Sequence, residues 1–450
     1  MKKYLSIYLI FLIVASCVPG SEQIDRNKEI DNFLNNLEEE NKNDGPVIYS
    51  ASWISSNFIT YDSQKVIADY GTRYTLKSLE RSREASAFDD VSTSAENRRM
   101  LNILKSSFVM PPPLNKELAS ELSSITTSLE AMYGSGEHCY EDGSCYDLED
   151  FESIIDNSRD PEELLKAWHG WHEISKPMKS MYMRMVDIGN QGSKDLGYQG
   201  LSDLWFSKYD MPADEFLNET DRVWEEVKPL YDALHCHVRA KLNEHYGNNL
   251  VPESGPLPVH LLGNMWGQSW SNIYDLVYTE ESQQNSVDVT KIIEEKGLNE
   301  IEMVEYAEDF FLSIGFDPLP DTFWERSLFV KPRDRSVVCH ASAWNLDPAN
   351  NDLRIKMCIE KNEEDFVTIH HELGHIFYYQ AYNHLPTLFQ GGANDGFHEA
   401  FGDLLTLSIT PDYLTQIDFI TEEQASVAKE DPIGLLMKQA LDGVVVVPWA

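Results

Sequence analysis

The sequence predicts an all-α fold built as one large domain. Three observations support this prediction: apolar residues recur at helical spacing in most of the chain, strand-like alternation is scarce, and no Gly/Ser-rich linker separates independent units. The 450 residues are 42% hydrophobic and include 10 Trp, 21 Tyr and 19 Phe, which is enough for a large buried core.

Start and stop signals place the main helices along the chain. Periodicity and these signals predict helices over residues 26–40, from Pro161, over 221–245, over 299–314 and over 363–382. We expect the first helix to end near Gly45-Pro46 and the third near Gly247, because helix-breaking residues follow the periodic positions there. Residues 252–258 are predicted to form a loop.

The chain is strongly acidic. It contains 36 Lys and Arg against 75 Asp and Glu, a formal net charge of −39. Such a surface argues against binding to nucleic acid or to an anionic membrane, and solubility is its simplest explanation. We therefore expect neither nucleic acid nor an electrostatically bound lipid surface as a partner.

The first residues have the pattern of an export signal. Lys2 and Lys3 form a basic start, residues 4–15 form an apolar run too short to span a bilayer, and Cys17 ends a lipobox-like Val-Ala-Ser-Cys sequence. Two interpretations are open: lipidation of Cys17 in a bacterial lipoprotein, or ordinary signal cleavage beside an incidental cysteine. In either case we expect an exported protein, periplasmic and lipid-anchored or secreted.

This pattern divides the chain into three parts. We assign residues 1–17 to the signal peptide, 18–31 to an N-terminal tether and 32–450 to the main domain. No segment after the signal is long and apolar enough to predict a membrane span.

Export permits disulfide bonds among the five remaining cysteines. Cys139 and Cys145 flank a turn-like sequence, and Cys339 and Cys358 bracket a loop before a histidine-rich motif. This pairing is favoured among several, since sequence alone does not fix disulfide connectivity. Cys236 lies in a helical stretch, where we expect a buried free thiol.

Residues 369–376 read IHHELGHI and contain three histidines and one glutamate. In a helix, His371 and His375 lie one turn apart on one face and can reach one metal ion. Neutral imidazoles at this spacing suit Zn²⁺, and Glu372 could polarise zinc-bound water and pass its proton to a leaving amine. His370 falls off that face, so we expect it to pack or form hydrogen bonds.

A catalytic zinc site needs a third protein ligand. Glu399 follows His375 by 24 residues, in the sequence GFHEAFGD, and could face the metal from a second helix. Asp403 lies one turn further, where it could accept the second ring N–H of a ligating histidine. The alternative is a chance His-Glu-x-x-His motif whose histidines satisfy core polar groups, and the second carboxylate-bearing segment argues against it.

Four segments carry a further resemblance: IHHELGHI, GANDGFHEAFGD at 392–403, CHASAW at 339–344 and HLLGNMWGQSWSNIYDLV at 260–277. Together they resemble the angiotensin-converting enzyme family of peptidyl-dipeptidases, and the similarity runs from about residue 32 to residue 450. This resemblance implies an all-helical ellipsoid with a deep central channel, zinc at its floor and charged N-terminal helices as a lid. It also implies removal of C-terminal dipeptides from short peptides.

The resemblance carries roles over to individual residues. The zinc ligands and the base are those named above, with one zinc ion for the domain. His340 and Ala341 match positions that contact the substrate backbone, and Gln268 matches a residue that holds the substrate's terminal carboxylate. A carboxypeptidase branch has arginine there, so Gln268 favours dipeptide release, although a solvated loop amide is the alternative. Two cysteine spacings also look like family disulfides: Cys139–Cys145 and Cys339–Cys358.

Chloride is a ligand that the resemblance implies, but one residue of this sequence argues against it. The activity of the family is commonly chloride-dependent, and Trp168 matches a residue that lines its first chloride site. His172 stands where an arginine is usual, and a neutral histidine binds an anion poorly. Tyr209 matches a residue of the second site, whose arginine would lie beyond residue 450.

The C-terminal end also departs from the family. The chain stops at Val-Val-Val-Val-Pro-Trp-Ala, whereas the family continues and supplies further residues that stabilise the tetrahedral intermediate and hold the carboxylate. We therefore expect an incomplete sequence and a fold truncated at the C-terminus.

Three functions are compatible with these residues. The leading hypothesis is a zinc metallopeptidase that releases C-terminal dipeptides from oligopeptides. The alternatives are a single-residue metallocarboxypeptidase, and a catalytically weak or inactive peptide-binding protein because of the missing C-terminal part. Short peptides are the expected partners, the only predicted membrane contact is a lipid anchor at Cys17, and the sequence predicts no oligomeric state.

Overall fold

The computed structural model describes residues 19–278, 287–394, 396–429 and 432–448. Within these ranges the chain is mainly helical. The helices are α1 Pro19–Asn57, α2 Tyr61–Ser86, α3 Ala95–Ser106, α4 Lys116–Gly134, α5 Leu148–Asn157, α6 Pro161–Ser175, α7 Met178–Asp195, α8 Leu201–Phe206, α9 Ala213–Tyr246, α10 Tyr274–Val277, α11 Val289–Lys296, α12 Glu300–Ser313, α13 Asp321–Arg326, α14 Glu363–Tyr382, α15 Phe397–Thr406, α16 Pro411–Gln416, α17 Glu422–Lys429 and α18 Pro432–Gly443. The all-α prediction is confirmed.

Polar caps begin three of the helices that the sequence predicted. The side chain of Asp160 accepts backbone N–H groups at the start of α6, and Asn299 does the same for α12 in a reciprocal capping box. Asn362 caps α14, which covers the predicted range 363–382. The predicted long helix at 221–245 is part of α9, which begins earlier and ends at Tyr246 before Gly247.

Helix α1 runs past Gly45-Pro46, so the end predicted there is wrong. Ile48 and Ala51, beyond the proline, are buried on the same side of the helix as Leu34 and Leu37. The proline removes one hydrogen bond of the helix. The shared buried face continues across that break, so tertiary packing outweighs the local stop signal.

The N-terminal assignments fall partly outside the described residues. The signal at 1–17 lies outside them, and α1 begins at Pro19, inside the segment assigned to a tether. Ile30 is fully buried in a core with Ala85 and Leu101. Among the helices of the described ranges, none is long and apolar enough to cross a membrane.

The described ranges also contain two short antiparallel sheets and four 3-10 helices, Val259–Leu261, Ser271–Ile273, Pro348–Asn350 and Thr387–Phe389. Strands β1 (His138–Cys139) and β2 (Cys145–Tyr146) form a hairpin that the disulfide Cys139–Cys145 closes. Strands β3 (Ser342–Asp347) and β4 (Asp352–Lys356) pair beside α14, and the second disulfide, Cys339–Cys358, joins the segments that flank them. The favoured cysteine pairing is therefore the one observed.

Cys236 is free and exposed, so the prediction of a buried thiol is wrong. It lies on α9, whose buried residues Leu234, Val238 and Leu242 recur every four positions. Two residues correspond to roughly 200° around a helix, so Cys236 faces away from that buried stripe.

The largest hydrophobic core surrounds α14. Phe366, Ile369, Leu373, Ile376 and Phe377 of this helix are fully buried there, among side chains from α12, β4 and α16. Full burial on one side makes α14 a rigid base for the residues that it presents on the other.

Candidate metal centre and active site

The histidines of IHHELGHI lie in the middle of α14. The rings of His371 and His375 are one helical turn apart, with centroids separated by 4.7 Å. His370 points into the core, where its Nδ1 lies 2.8 Å from the Phe366 carbonyl and its Nε2 lies 2.9 Å from the Tyr413 hydroxyl. The expectation that His370 serves packing and hydrogen bonding is consistent with this position.

Helix α15 crosses α14 at two facing glycines. A Cβ atom on Gly374 would lie 3.1 Å from the Cα of Gly402, and a Cβ on Gly402 would lie 2.7 Å from Nδ1 of His371. Because neither glycine carries a side chain, the helices approach closely. This approach brings Glu399 and Asp403, both on α15, to the histidines.

Three side chains present metal-binding atoms to one point: His371, His375 and Glu399, hereafter the histidine cluster. Their ligand atoms all lie within 4.8 Å of one another. Nε2 of His371 is 3.2 Å from Oε2 of Glu399, and Nε2 of His375 is 3.6 Å from Oε1. Tetrahedral Zn²⁺ with bonds of 2.0–2.1 Å separates its ligand atoms by roughly 3.3 Å, so this donor set fits zinc.

Asp403 lies behind the first histidine. Its Oδ1 is 3.0 Å from Nδ1 of His371, so the hydrogen bond leaves Nε2 facing the cluster. Burial opposes a charge on His371, but hydrogen bonds with Asp403 and Glu399 outweigh burial and raise its pKa to about 10. Burial and the neighbouring His371 lower the pKa of His375 to about 4. Without metal, His371 is therefore protonated on both ring nitrogens at neutral pH. A cation that binds its Nε2 must displace the proton there.

Glu372 is the buried carboxylate beside the histidine cluster. It is 6% exposed, and its Oε2 atom is buried without a hydrogen-bond partner among the described residues. Burial raises the pKa of Glu372 to about 7, although His371 and Lys356 act in the opposite direction. A buried, unpaired acceptor with this pKa is suited to exchange a proton with a reacting group near neutral pH.

His340 and Ala341 lie in a segment that a buried lysine supports. Nζ of Lys356 donates to the carbonyls of Val338 and His340, at 2.5 and 2.7 Å, and Lys356 is 2% exposed. Burial lowers the pKa of Lys356 to about 8, with Glu130 and Glu372 acting against that shift. We call residues 338–342 the His340 segment. Its central residues also line a cavity of about 350 Å³ with Lys356.

Gln268 lies in a loop that packs against the His340 segment. Gly263 and Gly267 adopt positive φ angles of 58° and 67°, which let the loop turn sharply around Gln268. The backbone N–H of Gln268 donates to the Asn264 side chain at 3.1 Å. The ring of Trp266, two residues earlier, meets that of His340 edge-on with centroids 6.2 Å apart.

The two residues assigned to chloride lie on separate elements. Trp168, on α6, stacks on His172 with ring centroids 3.8 Å apart, and Nδ1 of His172 donates to the Trp168 carbonyl at 2.7 Å. In neutral His172 this bond leaves Nε2 as an acceptor, which disfavours an anion at that position. Tyr209 follows α8, and its ring packs against Phe216.

A second group of carboxylates surrounds the N-terminal end of α14. Glu152 and Asp156 of α5 approach Glu364 and Asp365 of α14, and we call these four the acidic cluster. Burial raises the pKa of Glu152 and of Glu364 to about 8 each, and the charges that act most on both belong to other carboxylates. Asp156 accepts a hydrogen bond from Asn272 at 3.1 Å.

Sequence reasoning did not identify two residues beside the site. Nothing in the sequence around Lys356 indicates that this lysine is buried, because its burial depends on the pairing of β3 with β4. His398 lies within GFHEAFGD, directly before Glu399, and its Nδ1 is 3.3 Å from Nδ1 of His375. A histidine next to a predicted ligand was the available signal for His398.

A helical scaffold with His-Glu-x-x-His on one helix and a glutamate on the crossing helix defines a class of zinc-metallopeptidase-like proteins. The comparison with known families agrees with this class. The family model described as angiotensin-converting enzyme, peptidase M2, matches residues 24–450, and the chain belongs to that family.

Individual relatives show how much of the family the chain covers. It is 37% identical to the angiotensin-converting enzyme of Mus musculus over 409 residues, which are 89% of this chain and 30% of the mouse protein. It is 33% identical to that of Haematobia irritans exigua over 426 residues, 93% of this chain and 68% of the fly protein. The chain thus spans less than a third of the mammalian relatives that it matches.

Proposed function

We propose that the chain carries the zinc-binding and base residues of a peptidyl-dipeptidase that removes C-terminal dipeptides from short peptides. The observation that best supports this proposal is the geometry of the histidine cluster. Its ligand atoms lie within 4.8 Å of one another, beside the buried carboxylate of Glu372. When bound, a zinc ion would polarise the scissile carbonyl and lower the pKa of an attacking water. Membership of the angiotensin-converting enzyme family supports the same reaction class.

Glu372 moves the proton in this proposal. Its unpaired Oε2 would accept a proton from the attacking water, and the same carboxyl would donate it to the amine released from the peptide. A pKa near 7 suits both steps, because the group binds and releases a proton with little bias at neutral pH. Burial excludes bulk water from competing for that proton.

The other residues position ligand and substrate. Asp403 keeps the imidazole of His371 in the tautomer whose Nε2 is free to bind metal. The His340 segment, held by Lys356 and by the Cys339–Cys358 disulfide, would contact the substrate backbone. This segment leads into β3, and we expect an extended substrate peptide to lie along it.

Gln268 supports the release of dipeptides. Its loop contacts the His340 segment through Trp266, which supports a position for Gln268 near the region proposed to contact the substrate backbone. An amide donates a hydrogen bond to a carboxylate without adding a charge. We infer that the terminal carboxylate of the substrate is held there, two residues beyond the scissile bond.

Product analysis tests the reaction. An eight-residue peptide with a blocked N-terminus would be incubated with the protein and zinc, and the fragments measured by mass spectrometry. The proposal predicts a series that shortens by two residues and disappears on adding a chelator. Loss of single residues would instead support a carboxypeptidase. An uncut peptide with bound zinc would support a peptide-binding protein without activity.

We further propose that the protein is exported and anchored by a lipid on Cys17. The basic start, short apolar run and Val-Ala-Ser-Cys sequence support this. Expression of the full chain and a Cys17→Ser variant with a radiolabelled fatty acid in a bacterial host tests it. Labelling and membrane association should depend on Cys17, whereas release of both proteins into the soluble exported fraction would indicate ordinary signal cleavage.

A further inference from the structure

The second histidine of the metal centre has an unusual neighbour. Nδ1 of His375, on the side of the ring away from Glu399, lies 3.3 Å from Nδ1 of His398. On the other side of that ring, Nε2 of His398 lies 2.9 Å from the hydroxyl of Tyr382. His398 therefore connects a tyrosine near the end of α14 with a histidine in the middle of the same helix.

The ring of His398 is fixed by its surroundings. It packs against the rings of Tyr378 and Tyr379, with centroids 4.5 and 5.0 Å away, besides its contact with Tyr382. Tyr382 is itself buried, at 6% exposure. His398 is thus held between α14 and α15, and its Nδ1 has little freedom to leave His375.

The chemistry of imidazole determines which atom donates and which accepts in each of these hydrogen bonds. A His375 ring that binds a metal through Nε2 carries its hydrogen on Nδ1 and must donate it. Nδ1 of neutral His398 can accept this hydrogen only if the hydrogen of His398 is on Nε2. That Nε2–H then donates to the oxygen of Tyr382, and each atom of the chain has one consistent role.

The two histidines of the cluster are consequently oriented in different ways. His371 has the carboxylate of Asp403 behind it, whereas His375 has an uncharged imidazole. A ligating histidine usually donates to a carboxylate, a backbone carbonyl or water. We propose that His398 is a positioning residue that fixes the ring and tautomer of His375 for metal binding, with Tyr382 fixing His398. This inference rests on the zinc site of the proposed function.

Zinc affinity is the direct readout. The dissociation constant would be measured by competition with a chromophoric chelator for the unmodified protein, His398→Ala, His398→Asn and Tyr382→Phe. We expect His398→Ala to weaken zinc binding about 10–100-fold. His398→Asn should restore much of the loss, because its amide oxygen takes the place of Nδ1 as an acceptor. Tyr382→Phe should weaken binding less than His398→Ala.

Two further measurements separate positioning from general stability. His384→Ala, at an exposed histidine just after α14, is the matched control and should bind zinc like the unmodified protein. The visible absorption of the Co²⁺-substituted protein should change in His398→Ala and return toward the original spectrum in His398→Asn. A purely structural role would lower the melting temperature of the metal-free protein without such a pattern.

The outcomes are distinct. If the unmodified protein binds zinc and His398→Ala binds it equally tightly, the positioning role is wrong while the proposed function stands. If His398→Ala and His398→Asn lose the same affinity, acceptance by Nδ1 is not the cause and the inference is overturned. If the unmodified protein binds no zinc, the proposed function fails and this inference fails with it.

Discussion

Carboxylates lie beside helix α14 in two contrasting environments. In its middle, Glu399 meets the histidines, and the hydrogen bond from His371 holds the pKa of Glu399 below its usual range. At its N-terminal end, burial raises the pKa of Asp365 to about 7 and that of Glu152 to about 8. The residue types are similar, but the charged groups that act on Glu399 are histidines, whereas those that act most on Glu152 and Glu364 are other carboxylates.

The histidine cluster is therefore suited to bind a divalent cation, whereas the acidic cluster contains buried carboxylates that repel one another when ionised. In the histidine cluster, the carboxylate charge is available to a metal, and a proton on His371 takes the place of that metal in its absence. In the acidic cluster, folding favours the protonated form, so ionisation destabilises the fold. The helix N-terminus, which attracts negative charge, offsets part of that repulsion at Glu364 and Asp365.

The largest effect is expected from Glu372→Gln. The amide cannot take up the proton, so turnover should fall about 10²–10⁴-fold while zinc binding is retained. Initial rates with a defined peptide and metal content measured on the same sample would check this. Retained turnover would remove Glu372 from its role, and loss of zinc would show that this carboxylate belongs with the ligands.

Gly402→Ala should move His371 and His375 away from the carboxylates of Glu399 and Asp403. The new methyl group would lie 2.7 Å from the ring of His371, so α15 must move away or the ring must rotate. We expect a loss of about 1–3 kcal/mol in unfolding free energy together with weaker zinc binding. Gly443→Ala, where no atom lies within 4 Å, is the matched control. Equal behaviour of both variants would contradict the close crossing.

Lys356→Met tests a third environment, in which a buried lysine lies near the carboxylates of Glu130 and Glu372. Two carbonyls of the His340 segment would lose their donor, and a hydrogen bond from a charged group contributes about 1.5–3 kcal/mol. We expect kcat/KM to fall about 10-fold or more, mainly through a higher KM, because the segment would hold peptides less firmly. Lys361→Met, at an exposed lysine, should change neither constant.

Glu152→Gln should show the opposite sign of effect from the changes above. The pKa of Glu152 is raised from 4.5 to about 8, so its protonated form contributes stability that is complete below pH 4.5 and is lost as pH rises toward 8. The amide mimics the protonated form at every pH. Near pH 8 the variant should be more stable by about 1–2 kcal/mol, after allowance for solvent screening, and near pH 5 the two should agree.

Denaturant unfolding at several pH values measures this effect. Glu253→Gln, at an exposed glutamate in a loop, provides the control and should leave the pH dependence unchanged. If Glu152→Gln destabilised the protein equally at both pH values, repulsion in the acidic cluster would not be the cause.

The sequence predicted the parts of the molecule that depend on local spacing. The range of α14 followed from helical periodicity and the absence of proline between residues 363 and 382. The pairing of His371 with His375 followed from one helical turn. Glu399 was predicted as the third ligand from its residue type and its place in GFHEAFGD. Its approach to the histidines depends on Gly374 and Gly402, which are far apart in the sequence and meet only in the folded chain.

Features that depend on tertiary packing were not predicted. The stop signal at Gly45-Pro46 is visible in the local sequence. The continuation of α1 beyond it depends on the burial of one helix face against other elements, which the local sequence does not show. Cys236 was placed in the correct helix but on the wrong side, because its neighbours did not indicate which stripe packs inward. Lys356 and the acidic cluster depend on contacts between residues far apart in the chain.

Metal content is the most direct test of the central claim, that His371, His375 and Glu399 form one zinc site. The unmodified protein and His375→Ala would be dialysed against a low concentration of zinc and analysed by inductively coupled plasma mass spectrometry. We expect one zinc ion for each unmodified chain and almost none for the variant, since two remaining ligands bind zinc weakly. Equal zinc in both proteins, or none in either, would contradict it.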